Sequence, residues 1–492
     1  MAALALSSFL ARLAIGVPTL PELFVDPLLY VMPPALFSAA LETLHFAAKP
    51  VLLAFLLLGQ IGLGVLFGWL YADWLAPKTP SLTFVSAVRA ALLLAALGWL
   101  LTVLVIFPAV GVGSLGVLLS AGVAATLVSY FVAAIVFALT LAWLYTRLVQ
   151  PELTGQNERQ LNRRSILRLL GTAITAVIGA SLVLEVSEVV QGASSLRAPA
   201  HLPSPITPIE GFYVVAKDLF PVNVDPSRWQ LKVVGGSNRS LSLDLDQLRA
   251  RPAVELVTTL TCISNPIGGD LLGTARWTGV RLADLLHEVG VDSSARDVVL
   301  TAADNYADSI PLGLAFATET LLVYLMDGKA LPTAHGFPLR AIVPGRYGIK
   351  NVKWLTRVEA IDHGFVGYWP ARGWTDQGIV QTESQIDMPA DRSNLPLAAI
   401  EVGGIAFAGV RGIQKVELSV DGGHSWLATT LAPPISPLAW TTWRIRWRPT
   451  NPGWYTLQVR ATDGTGQTQP AVVTPPIPDG ATGYHQIQVR VG

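Results

Sequence analysis

The stretch TTLTCISNPIGGD, residues 258–270, holds the single cysteine of the 492-residue chain. Its first half is β-prone and its second half is a Pro/Gly turn, so Cys262 stands where the chain changes direction. A lone cysteine closes no internal disulfide. It can be a small buried apolar side chain, a nucleophile, or a thiolate ligand to a metal. A nucleophile needs a base; His335 and several carboxylates are available, but spacing does not say that they meet. Zinc is disfavoured because Cys-rich ligand spacing is missing. A second stretch, HGFPLRAIVPGRYGIKNVKWLTR, covers residues 335–357. From 340 to 357 it carries five cations, Arg340, Arg346, Lys350, Lys353 and Arg357, and no acid. Glycines and prolines interrupt it, so backbone N–H groups can turn toward an anion such as phosphate. The competing reading is a solvated strand edge whose lysines oppose pairing.

These stretches need a scaffold. Residues 211–376 mix short β-rich runs with one helix, VRLADLLHEVG at 280–290, where Leu282, Leu285, Leu286 and Val289 recur at helical spacing and Gly290 ends the run. After the polar connection TESQIDMPADRSN the period becomes two. Val416, Leu418 and Val420 alternate with Glu417 and Ser419 before the turn at 421–423, and WRIRW and YTLQVRA alternate likewise. Several short alternating strands suggest an antiparallel sandwich of immunoglobulin-like type, without the paired cysteines of antibody domains.

The first 190 residues are different. Hydrophobic residues make up 51% of the chain and charged residues 14%, and most of the charge deficit lies there. Residues 51–71, 90–110 and 117–145 are each long and apolar enough for a hydrocarbon core of about 30 Å. A shorter stretch with Arg12 and the run 167–184 are further candidates, which makes about five spans. Arg147, Arg159, Arg163, Arg164 and Arg168 place the connection after Tyr145 in the cytoplasm, with Lys78 and Arg89 on the same side. The last span then delivers everything after about residue 195 to the far side. Arg163 and Arg164, followed by an apolar stretch, look like a twin-arginine export signal, a route for proteins already folded. An extracytoplasmic address and a formal net charge of zero argue against nucleic acid as partner.

The run TTLTCISNPIGGDLLGTARWTGVRLADLL, followed by HGFPLRAIVPGRYGIKNVKWLTRVE, resembles the sulfite oxidase family of molybdenum–molybdopterin enzymes. The resemblance continues through GYWPARGW, GIAFAG, VELSVDGGHSW and the terminal GYHQIQVRV, and covers residue 211 to the C-terminus. Together with the apolar first 190 residues and the Pro/Ser run before residue 208, it makes a multidomain chain. An N-terminal α-helical transmembrane bundle (1–192) and a linker (193–208) precede an α+β molybdopterin-binding catalytic domain of sulfite oxidase type (209–376). A connection (377–398) leads to an immunoglobulin-like β-sandwich of the Mo-cofactor dimerisation type (399–492).

By the same resemblance Cys262 is the thiolate ligand of molybdenum, with the pterin dithiolene and oxo groups completing the sphere. His335 and Arg340 match positions that contact the pterin and its phosphate. Asn351, Val352 and Lys353 match a run that binds the phosphate by main chain and side chain, and Tyr213 matches a cofactor-contacting position. Molybdopterin is inserted in the cytoplasm, which strengthens the export reading.

Two positions depart from the family pattern. Its substrate-holding arginine aligns with Val215, although Lys217 is near enough to replace the charge. Its tyrosine aligns with Trp374, which offers one N–H and no hydroxyl. Sulfite is therefore in doubt as substrate, and a neutral S- or N-oxide, reduced as in bacterial relatives, competes with it. Lys217, Tyr306, Arg346, Arg372 and Trp374 are the candidates for the pocket. His45 is the only histidine before residue 200, so a haem held by two histidines is not expected in the bundle. Electrons then pass to a separate redox partner protein, and a homodimer through the sandwich is left open. The alternative is a metal-free extracytoplasmic binding protein that uses the sandwich; the ligand set Cys262, Arg340 and Lys353 speaks against it. A transporter is disfavoured by the lack of charge within the spans.

Overall fold

A computed structural model of the chain describes residues 2–15, 17–33, 36, 48–71, 84–110, 112–117, 119, 122–148, 202–217, 222–236 and 239–492. These residues divide into two units, the helices up to residue 148 and the residues from 202 onward.

The first unit contains α1 (Ala2–Ile15), α2 (Leu20–Val31), α3 (Ala48–Leu70), α4 (Phe84–Leu101) and α5 (Val123–Leu148). A π-helical segment, Thr102–Ile106, carries α4 on to Ala109. Ala87, Ala91 and Ala95 meet Ala138 and Ala142 between α4 and α5; such small side chains let two helices approach closely. The Tyr71 hydroxyl donates to the Ala87 carbonyl at 2.7 Å, and its ring meets Tyr145 edge-on. Leu93, Leu97 and Val128 point outward and are exposed.

Two stretches are long and apolar enough to cross a bilayer, Val85–Ala109 and Val123–Thr146, and a third, Ala54–Leu70, is shorter. The five expected spans are thus not all seen among the described residues. α1 has 14 residues, about 21 Å at 1.5 Å per residue, too short for the core. Its Arg12 pairs with Glu22 at 3.0 Å. The span expected from residue 117 begins at Val123, because the chain first makes a tight turn at Ser114–Gly116. The run 167–184, Arg163 and Arg164 of the export motif, and Lys78, Arg159 and Arg168 lie outside the described residues.

The second unit begins with a segment expected to be linker. Residues 202–207 are docked instead: the Thr207 N–H donates to the Thr274 carbonyl at 2.8 Å, and its hydroxyl accepts from the Thr274 N–H at 3.1 Å. Leu202 packs over Gly403.

Two sheets follow. One has strand order β2–β1–β10–β5–β6, built from Leu231–Gly236 (β1), Arg239–Leu243 (β2), Asp297–Ala302 (β5), Ala307–Pro311 (β6) and Leu355–Ile361 (β10). Within it only β1 and β10 run parallel. The other has order β3–β4–β7–β8, from Val254–Thr261 (β3), Leu272–Arg281 (β4), Leu321–Met326 (β7) and Lys329–Ala330 (β8), with Arg340–Ile342 (β9) added to β7.

Between the strands stand α6 (Leu245–Arg249), started by the Asp244/Gln247 capping box, and α7 (Leu282–Val289). The apolar spacing of α7 buries Leu282, Leu285, Leu286 and Val289 in the core, as expected. Val280 and Arg281, expected to be helical, complete β4 because both pair with β7.

The C-terminal domain is two facing sheets. β11 (Glu383–Ser384), β13 (Ile400–Phe407), β17 (Thr441–Trp447) and β16 (Thr430–Leu431) form one. β12 (Asn394–Leu395), β19 (His485–Val491), β18 (Gly453–Asp463), β14 (Ile413–Ser419) and β15 (Leu427–Ala428) form the other. Val402, Trp443 and Trp447 from the first sheet pack against Leu418, Leu457, Val459 and Val489 from the second. Ser419 breaks the expected alternation. It is fully buried, and its hydroxyl accepts from the Gly423 N–H at 2.8 Å, closing the 421–423 turn.

The two domains of this unit are joined through polar contacts. The Thr259 N–H donates to the Leu438 carbonyl at 3.0 Å, and the Thr259 hydroxyl accepts from the Trp440 N–H at 2.9 Å. Within the C-terminal domain, Arg411 donates to buried Asp463 at 2.8 Å and ties the connection to it through the Val380 carbonyl at 3.0 Å.

Nearby, Asp387 lies 6% exposed, and Gln385 donates to one of its oxygens at 2.6 Å while the other makes no hydrogen bond. Burial pushes its carboxyl up to about 7. A raised folded-state pKa favours the fold only while the group stays protonated. That contribution is complete below the ordinary aspartate range and is lost as pH rises through about 7. Asp387→Asn should therefore raise stability by about 2–4 kcal/mol at pH 8, at ~1.4 kcal/mol for each tenfold change in proton affinity. The advantage should narrow as pH falls toward the ordinary aspartate range. Urea unfolding of the detergent-solubilised chain across pH measures it, and a constant difference would contradict the assignment.

Candidate active site around Cys262

β3 ends at Thr261, and its antiparallel partner β4 starts at Leu272. The ten residues between form a closed loop. The Cys262 N–H donates to the Leu271 carbonyl at 2.8 Å, and the Asn265 N–H donates to the Cys262 carbonyl at 3.0 Å. The Asn265 side-chain oxygen then accepts from the Leu271 N–H at 3.0 Å. Cys262 is thus fixed at the strand end, as its sequence context suggested. It is buried, with the Ser264 hydroxyl 3.1 Å from its sulfur. Burial pushes the thiol pKa up; Ser264 and the nearby Lys353 pull it back only in part. As a free side chain it is a thiol, and a metal binding there would displace its proton.

Facing it is the basic stretch. His335 ends a short 3-10 turn (Thr333–His335) and is 4% exposed, with its ring edge-on to Phe212 at 5.5 Å. Burial, then the charges of Arg340 and Lys353, lower its pKa to about 4, so it is a neutral imidazole near pH 7. Arg340 opens β9 and is buried 5.3 Å from the Trp277 ring. It donates from Nη1 to the His335 carbonyl at 3.3 Å, and its Nε has no partner. Lys353 donates to the carbonyls of Val215 and Ala334 at 3.0 and 3.2 Å and lies 4.5 Å from the Trp354 ring.

Tyr213 closes the group. Its hydroxyl is buried without a hydrogen-bond partner, and burial pushes its pKa up. A side chain at Gly348 would sit 3.2 Å from that hydroxyl and 4.0 Å from the Cys262 Cα, so glycine there lets the basic stretch approach the cysteine.

Not every expected residue joins them. The Asn351 side chain is occupied within the protein: its oxygen accepts from the Val343 N–H at 2.7 Å, and its nitrogen donates to the Arg346 and Tyr347 carbonyls at 3.1 and 3.0 Å. These bonds give the Asn351 side chain a role in holding the 343–351 turn. Val352 is in the core, its carbonyl bound to the Ala341 N–H at 2.8 Å. The five cations do not act together. Lys350 is buried against Asp308 and Asp376, Arg357 pairs with Glu359 at 2.7 Å, and Arg346 donates to the Gln377 carbonyl at 2.9 Å.

The residues considered for the pocket divide too. Lys217 and Arg372 flank Tyr368, 5.7 and 3.6 Å from its ring centre. Trp374 is 6% exposed with its indole N–H unpartnered. Tyr306 donates its hydroxyl to the Ile349 carbonyl at 2.7 Å and reaches Asp308 at 3.3 Å. Val215 is on the surface, with its carbonyl holding Lys353.

Four residues near the site were not anticipated: Asn265, Trp277, Tyr347 and Glu383. Glu383 accepts from the Asn265 amide at 3.3 Å, and burial pushes its carboxyl up to about 7 against the pull of Asn265. Only Asn265 carried a signal, its place three residues after Cys262.

The arrangement favours an anionic, acceptor-rich ligand. The Arg340 Nε and Trp277 indole N–H are buried donors without partners, as is the Tyr213 hydroxyl, and unpartnered buried donors are rare unless a ligand meets them. Among the described residues no group of three or more His, Cys, Asp or Glu could hold a metal, so a metal at Cys262 takes its other ligands from a bound group. A dithiolene-bearing pterin with a phosphate fits both requirements. Tyr213, His335, Arg340 and Lys353 would hold it and Cys262 would be the protein ligand.

Comparison with known proteins agrees. Residues 219–369 match the family model of the oxidoreductase molybdopterin binding domain, and residues 377–491 that of the Mo-co oxidoreductase dimerisation domain. The mitochondrial sulfite oxidase of Mus musculus is 32% identical over 320 residues, 55% of this chain and 58% of that protein. The sulfite oxidase of Gallus gallus is also 32% identical, over 69% of its length. The chain therefore spans about three-fifths of its mammalian relatives. The crystal structure of the sulfane dehydrogenase SoxCD from Paracoccus pantotrophus shares the fold, with TM-score 0.51 and 21% identity over 58% of this chain and 82% of that one. A molybdopterin-binding domain implies the molybdenum–molybdopterin cofactor. With its cysteine loop, basic stretch and dimerisation-type domain in family order, the chain belongs to the sulfite oxidase family of molybdopterin-dependent oxidoreductases.

Proposed function

We propose that this chain is a membrane-anchored enzyme that transfers an oxygen atom to or from a small molecule outside the cytoplasm. The observation that carries the reading is a buried single thiol, Cys262, in the same domain as buried donors without partners on Arg340, Trp277 and Tyr213. When bound, the molybdenum cofactor would supply two-electron redox chemistry coupled to oxygen-atom transfer. The protein's part is to hold and orient. Arg340 and Lys353 would meet the phosphate and neutral His335 and Tyr213 would bound the pterin, while Asn351 keeps the turn between them in shape through its three internal hydrogen bonds.

On the substrate side, Lys217, Arg346, Arg372 and Trp374 are the candidates. Val215 and Trp374 stand where sulfite oxidases place an arginine and a tyrosine, which favours a neutral sulfoxide or N-oxide over sulfite. Lys217 and Arg372 beside Tyr368 favour sulfite. The two long apolar helices support membrane association. The sandwich, read as immunoglobulin-like and of the dimerisation type, supports a homodimer, and electrons go to or come from a separate redox protein.

The test is metal and pterin analysis of the detergent-purified chain from a host that makes molybdopterin, followed by sulfite oxidation and sulfoxide reduction assays. One molybdenum per chain and turnover in either direction is the expected result. Correctly folded chain without molybdenum from that host would leave the binding-protein alternative.

A further inference from the structure

The Cys262 loop is not held by its own strand pair alone. All three bonds that close it involve residues 262, 265 and 271, and Asn265, 5% exposed, is common to two of them. Its side-chain oxygen is taken by the Leu271 N–H, and the remaining polar end, Nδ2, donates to Glu383 at 3.3 Å across 118 residues of sequence. Glu383 belongs to the C-terminal domain, where β11 pairs with β13 in the register Glu383↔Phe407. The other Glu383 oxygen is buried without a hydrogen bond. The loop's outer face leans on the same domain at two more points. Gly268 lies against the His485 ring, which leaves no room there for a side chain, and Ile267 packs on Gly483. His485 is itself fixed, its Nδ1 accepting from the Ile386 N–H at 2.9 Å.

We infer that Glu383 is a positioning residue for the metal-ligating cysteine: through Asn265 it lets the dimerisation-type domain set the place of Cys262. The metal half of this inference rests on the proposed function. The loop half does not, because Cys262 is the only cysteine and any thiol reagent reports on it alone.

Three full-length variants test it. Glu383→Met removes the acceptor; Asn265→Asp keeps the oxygen for Leu271 and turns a second oxygen toward the carboxylate; Glu383→Gln keeps an acceptor of the same shape. The rate at which a disulfide reagent modifies Cys262 is measured in cofactor-free chain, and the Mo–S contribution to X-ray absorption in loaded chain. Glu383→Met and Asn265→Asp should each speed modification about tenfold, broaden the Mo–S distance and lower kcat about tenfold with KM within about twofold, the scale of a lost outer-sphere contact. Glu383→Gln should restore wild-type values. If Glu383→Met does not fold, Asn265→Asp carries the comparison. Wild-type rates in all variants, or Glu383→Gln behaving like Glu383→Met, would overturn the inference. Wild-type chain without molybdenum would sink the proposed function and leave the modification rates to decide the loop's support.

Discussion

Cys262→Ser should lower turnover by about a thousandfold or more, which is ~4 kcal/mol of transition-state free energy, and should barely change the stability of the fold. Serine has nearly the shape of cysteine, and Ser264 already places a hydroxyl 3.1 Å away, so the loop can keep its three closing hydrogen bonds. The ligand, however, changes from a polarisable sulfur to a hard oxygen whose proton leaves far less readily. Arg340, Lys353, His335 and Tyr213 are untouched, so pterin and molybdenum should still be retained. X-ray absorption would then show one fewer sulfur at the metal. A variant with wild-type turnover and an unchanged spectrum would remove Cys262 from the metal and return it to the buried-spectator reading.

The second large effect is on stability and sits behind the site. Lys350 and Asp308 are 2% and 1% exposed, with Nζ donating to the Asp308 carboxylate at 2.7 Å and to the Ser309 carbonyl at 2.9 Å. Burial pushes the Asp308 carboxyl up even though Lys350 pulls it down; desolvation outweighs the partner. Lys350→Met should cost about 3–5 kcal/mol, because it leaves an uncompensated buried charge rather than because the pair itself is strongly stabilising. Two controls follow. Lys350→Met combined with Asp308→Leu should recover much of the loss, since the stranded charge is gone. In the single variant, the cost should shrink as pH falls, because without Lys350 Asp308 takes up a proton more readily in the fold. Denaturant unfolding at several pH values checks both; a loss unchanged by the second substitution would mean that lost packing, not charge, is responsible.

Lys350 also shows where charge patterning misleads. In the sequence it is one of five cations with no acid nearby, and a shared anion site is the natural reading. The compensating acid lies 42 residues earlier, on β6, a strand that no local pattern connects to it. Arg340 and Lys353 remain at the site, while Lys350 and Arg357 are neutralised within the protein. Burial decides this division, and a charge run does not encode burial.

Local sequence was enough to place Cys262 between a strand and a Pro/Gly turn, to make residues 282–289 an amphipathic helix, to alternate the C-terminal strands and to mark the first 190 residues as apolar. Each depends on neighbours within a few residues, through backbone preference and side-chain period. The family also followed from ordered local runs. Which distant groups meet emerged only on packing: Tyr213 with Gly348 and Cys262, Asn265 with Glu383, Lys350 with Asp308. Packing likewise occupies Asn351 internally and docks residues 202–207. One cause is common to all of them. A buried polar group must find a partner wherever the packed chain brings one, and that partner is set by the fold rather than by spacing along the chain.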